Sequence, residues 1–108
     1  MSTKLLKSAA FLASALVMVA STSAFAADGK ELYTAKGCSA CHGADGKTPI
    51  APAYPKVVGQ SKEYTEQQMK DIKSGARSNG QSAVMKGLMA GVSDEEITAI
   101  AEYLATQS

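Results

Sequence analysis

The sequence predicts an all-α domain of three to four short helices, and three observations carry that prediction. Residues 92–106 place Ile97, Ile100, Ala101 and Leu104 at the i, i+3, i+4, i+7 spacing of a helix face. Two further stretches, residues 28–36 and 61–74, begin on Asp or Ser and are followed by Gly37 and Gly75, the start and stop chemistry of helices. No segment reads as a strand, and Pro49, Pro52 and Pro55 keep regular structure out of the long connection at residues 48–59.

Residues 1–26 stand apart from the domain. Lys4 and Lys7 form a positive start, residues 9–20 are apolar, and Ala24-Phe25-Ala26 closes the segment. That is the pattern of a secretory signal cleaved after Ala26. The apolar run falls short of the roughly 20 residues that span a bilayer, and a retained anchor is the alternative. The domain then occupies residues 27–108, with nine basic and ten acidic residues. A charge of about −1 does not favour nucleic acid, which calls for a clustered basic face.

The first helix is predicted over residues 28–36, with Asp28 as N-cap, Glu31 three residues on, and Gly37 as the stop. Cys38-Ser39-Ala40-Cys41-His42 follows at once. Cys-x-x-Cys-His is the attachment signature of a c-type haem. Two intervening residues make one helical turn, so both sulfurs reach the same porphyrin edge. The histidine that follows then lies under the iron. His42 is the chain's only histidine, and Cys38 and Cys41 are its only cysteines.

Three other uses of these residues fit less well. A thioredoxin-type pair wants a βαβ context, which is lacking here. A zinc site wants about four ligands. A plain disulfide, permitted in an oxidising compartment, leaves the adjacent histidine unexplained.

The proline-bearing connection at residues 48–59 is long for so small a domain and is expected to wrap the proximal side of a haem. The second helix, residues 61–74, carries Tyr64, Gln68 and Ile72 with Met69 beside them. Residues 76–91 are rich in Gly and Met with little periodicity and are expected to form a loop. The last helix has Ser93 as N-cap and Glu96 completing a capping box, with Asp94 and Glu95 in its first turn. Residues 94–102 hold four acids and no base, so negative charge gathers at the C-terminal end. Tyr33, Tyr54, Tyr64 and Tyr103 are the only aromatic residues after the leader. So thin a core predicts that folding depends on a bound porphyrin.

In this order the chain resembles small monohaem class I cytochromes c of the bacterial c4, c5 and c553 type. CHGADGK, AYPKVVGQ, DIKSGAR and VSDEEITAIAEYL carry the likeness. The resemblance implies the class I cytochrome c fold, with the first and last helices crossing so that Gly29 and Tyr33 pack against Tyr103 and Leu104. It implies an electron carrier with one haem c bonded to Cys38 and Cys41. The iron would be held by His42 and a methionine. Met85 and Met89 both stand before the last helix, and the family's spacing points to Met85. The carbonyl of Pro52 would accept from the His42 ring, Arg77 would neutralise a haem propionate, and Tyr54 would pack on the ring or bond a propionate. The implied setting is the bacterial periplasm, with transient redox proteins as partners and a monomeric carrier. A haem protein with an open distal site, binding ligands or peroxide, is the competing function.

Overall fold

The computed structural model describes residues 28–108, and the predicted leader lies outside them. Five helices follow one another: α1 (Gly29–Ala35), α2 (Ser39–His42), α3 (Lys62–Ser74), α4 (Ser82–Met89) and α5 (Asp94–Ala105). No strand occurs among the described residues.

The capping chemistry sets the ends. Asp28 accepts from the amide of Lys30 at the start of α1. Ser61 accepts from Tyr64 at the start of α3, and Gly75 ends that helix in the left-handed region at φ 90°. Ser93 and Glu96 close a reciprocal capping box on α5, satisfying two amides that the helix itself leaves unpaired.

The frame is made by α1, α3 and α5. Helix α5 packs on both others, and α3 also carries α4. At the α1–α5 crossing, Gly29 leaves no room for a side chain: a Cβ there would press on the Ala99 carbonyl and lie 2.7 Å from Tyr103 Cβ. The Tyr33 and Tyr103 rings meet at a centroid distance of 6.0 Å and a tilt of 51°, within the range aromatic pairs prefer. Ile97, Ile100, Ala101 and Leu104 are all buried, as their spacing predicts.

One expectation fails. Residues 82–89 form α4, not a loop. Val84, Met85, Leu88 and Met89 do recur at helical intervals, but Gln81 gives the helix no side-chain cap. Gly87 and Gly91 further mask the pattern, because glycine weakens a helical reading.

Candidate haem site

Cys38, Cys41 and His42 are presented by a single turn. The positive φ of Gly37 (85°) and Gly43 (89°) lets the chain turn sharply into and out of α2. The Cys41 amide lies 3.3 Å from the Cys38 carbonyl, so the two side chains stand one helical step apart. Both are free thiols, half-buried, and burial pushes the Cys38 thiol up from its ordinary pKa.

His42 is buried, and its Nδ1 lies 2.8 Å from the carbonyl oxygen of Pro55. A carbonyl only accepts, so Nδ1 carries the proton and Nε2 is the nitrogen left to bind a metal. This corrects the expectation that Pro52 supplies the acceptor. The loop is held by the Ile50 amide on Cys41 O (3.1 Å) and the Val57 amide on Gly46 O (2.9 Å). That pinning brings Pro55 to the ring and leaves Pro52 exposed and outside the cleft wall.

A cleft of about 380 Å³ opens beside this turn. Val57, Ile72, Met89 and Val92 contribute apolar wall, and Tyr54, Arg77 and Met85 also line it. Met85 is half-buried, whereas Met89 is 2% exposed and part of the core. Arg77 donates through Nη1 to Gln68 Oε1 at 3.2 Å, which holds the guanidinium at the cleft. Lys36, Lys56 and Arg77 border the cleft, and no carboxylate does.

These features fit a porphyrin: two unbridged thiols one turn apart, a histidine nitrogen reserved for a metal, a methionine, and apolar walls with cationic groups for carboxylates. Among the described residues, no group of three or more His, Cys, Asp or Glu is placed to hold a bare metal ion.

A family model described as cytochrome c matches residues 26–108. The chain belongs to the cytochrome c family. This cytochrome is 47% identical over 70 residues to cytochrome c4 of Pseudomonas aeruginosa, covering 65% of this chain and 33% of that one. It is 44% identical over 70 residues to cytochrome c-554(548) of Halomonas halodenitrificans, covering 65% and 83%. A thiosulfate dehydrogenase electron acceptor of Stutzerimonas stutzeri is 38% identical over 100 residues, 86% of this chain and 45% of that one. The crystal structure of reduced recombinant cytochrome c4 from Pseudomonas stutzeri aligns with a TM-score of 0.61 at 31% identity, covering 70% and 44%. The cytochrome thus spans a third to under a half of the c4 and electron-acceptor relatives, and most of c-554(548). Its fold is the all-α class I cytochrome c fold.

Three contacts at the site were not read from the sequence. Pro55 carries no signal separating it from Pro52. Tyr33, expected to be ordinary packing, also donates its hydroxyl to the Gly43 carbonyl at 2.7 Å and so braces the exit of the attachment turn. Lys36 borders the cleft, and nothing in its sequence context signals that.

Proposed function

We propose that this cytochrome carries single electrons between redox proteins of the bacterial periplasm, with one haem c bonded covalently to Cys38 and Cys41. The observation that supports this reading best is the His42 ring, fixed by the Pro55 carbonyl at a cleft that Met85 also lines. Bound haem supplies one-electron Fe(III)/Fe(II) chemistry. His42 would hold the iron through Nε2, and its bond to Pro55 fixes the tautomer that leaves that nitrogen free. Met85 would hold the iron through its thioether, a soft ligand that favours the reduced state. With His42 and Met85 both holding the iron, no site would be left for a substrate, and exchange would run through the cleft edge.

Arg77, steadied by Gln68, and Tyr54 are suited to the propionate end of a porphyrin. The cationic border of Lys36, Lys56 and Arg77 steers anionic partner surfaces, in encounters that are small and short-lived. Likeness to a protein named as an electron acceptor of thiosulfate dehydrogenase supports trying a dehydrogenase as the donor. Export with cleavage after Ala26, and life as a monomer, belong to the same reading. No helix among the described residues is long and apolar enough to cross a membrane.

The decisive test is extraction of the denatured holoprotein with acidified organic solvent. Haem should remain on the polypeptide, whose mass should exceed that of a chain starting at Ala27 by one haem. Haem that leaves with the solvent overturns covalent attachment.

A further inference from the structure

Two lysines from different helices converge on one short stretch of backbone. Lys36, at the C-terminal end of α1, donates through Nζ to the Gly91 carbonyl at 3.0 Å. Lys73, near the end of α3, donates to the Val92 carbonyl at 2.6 Å. Each ammonium also faces an acid of the first turn of α5: Lys36 lies 3.3 Å from Glu96, and Lys73 lies 3.7 Å from Asp94. Glu96 is tied in turn to the Ser93 amide at 2.9 Å. The joint between α4 and α5 is therefore gripped on successive carbonyls.

These groups are about a third exposed, 30% for Lys36 and 32% for Lys73. Ion pairs in such surroundings add little to global stability, so stability alone does not account for the convergence. What they do is fix a position. Helix α4 has no side-chain cap and packs principally on α3. Its C-terminal end is anchored by Met89 and Val92 in the core and by the two lysines on the carbonyls of residues 91 and 92. Met85 sits one turn before Met89 on this helix.

We infer that Lys36 and Lys73 form a clamp on the Gly91 and Val92 carbonyls that sets the position of α4 and, through it, of the Met85 thioether at the cleft. They are positioning residues for the iron's methionine ligand. The inference rests on Met85 being that ligand. A loosened clamp lowers the fraction of molecules with the thioether in place, and a competing ligand then binds with correspondingly higher apparent affinity.

The test uses the ferric holoprotein with imidazole as competitor, followed by loss of the far-red band of the thioether–iron bond. Lys36→Met and Lys73→Met keep the apolar stems and remove the charge. Each should lower the half-saturating imidazole concentration about threefold, and the pair about tenfold. Lys62→Met, which removes a contact of 3.8 Å to Glu102, should leave it unchanged, and Lys36→Arg should restore it. Far-UV melting of the same proteins separates positioning from folding, since the melt should move far less than the imidazole response. Should the double variant fail to fold, the single variants decide. An unchanged imidazole response in both single variants, or one matched by Lys62→Met, overturns the clamp alone. A native protein lacking the far-red band overturns Met85 ligation and the clamp with it.

Discussion

Gly29 and Tyr103 touch backbone to side chain: a Cβ placed at residue 29 would lie 2.7 Å from Tyr103 Cβ while pressing on the Ala99 carbonyl. Relief requires moving α1 away from α5, because a carbonyl on a helix cannot rotate aside. Gly29→Ala should therefore destabilise the holoprotein by about 1–3 kcal/mol, the usual cost of overpacking a fitted contact. Denaturant midpoints would measure it. The far-red spectrum should be unchanged, since the crossing lies away from the cleft wall.

Met85 and Met89 share one side of α4 but differ in burial, and the two alanine variants should separate them. Met85→Ala should abolish the far-red thioether band and lower the reduction potential, because the replacement ligand favours Fe(III). Met89→Ala should keep the band while costing about 2–4 kcal/mol of stability, as expected for a methionine that is 2% exposed. Band loss in the second variant but not the first would transfer ligation to Met89.

Burial raises the Tyr33 phenol from 10.0 to about 12. The folded state therefore favours the protonated ring. Its contribution is complete below pH 10.0 and is lost as pH climbs toward 12. Tyr33→Phe should flatten the alkaline fall in stability between those values. At neutral pH it should cost about 0.5–1.5 kcal/mol, the usual net worth of one hydrogen bond, because the Gly43 carbonyl loses the phenol but keeps the Gly46 amide at 3.2 Å. Urea midpoints at neutral pH and near pH 11 would show both effects.

Most of the frame could be read from residue order because its signals are local. Ser93 with Glu96 is capping chemistry three residues apart, and Ser61 with Gly75 and Asp28 with Gly37 each bracket a single helix. The attachment turn is local in the same sense. Helix α4 was missed because it starts on Gln81 without a side-chain cap and contains Gly87. The acceptor for His42 is Pro55 and not Pro52. Which carbonyl reaches the ring depends on how Ile50 and Val57 pin the loop back onto Cys41 and Gly46, contacts that span nine and eleven residues. The lysine contacts of residues 36 and 73 join distant parts of the chain through side-chain to backbone bonds, for which no composition or period gives notice.

The crossing of α1 and α5 also governs the order in which this chain can assemble. It joins residue 29 to residue 103, so nearly the whole described chain is a loop closed by one seam. Closing a loop of that length costs about 4 kcal/mol of chain entropy before any contact is gained. Until the last helix has arrived, Tyr33 has no Tyr103 to meet, and the attachment turn lies on an open strand of polypeptide. Its thiols are then as accessible as they will ever be. A fold sealed by its final element keeps its cysteines within reach of chemistry for as long as it remains unfinished.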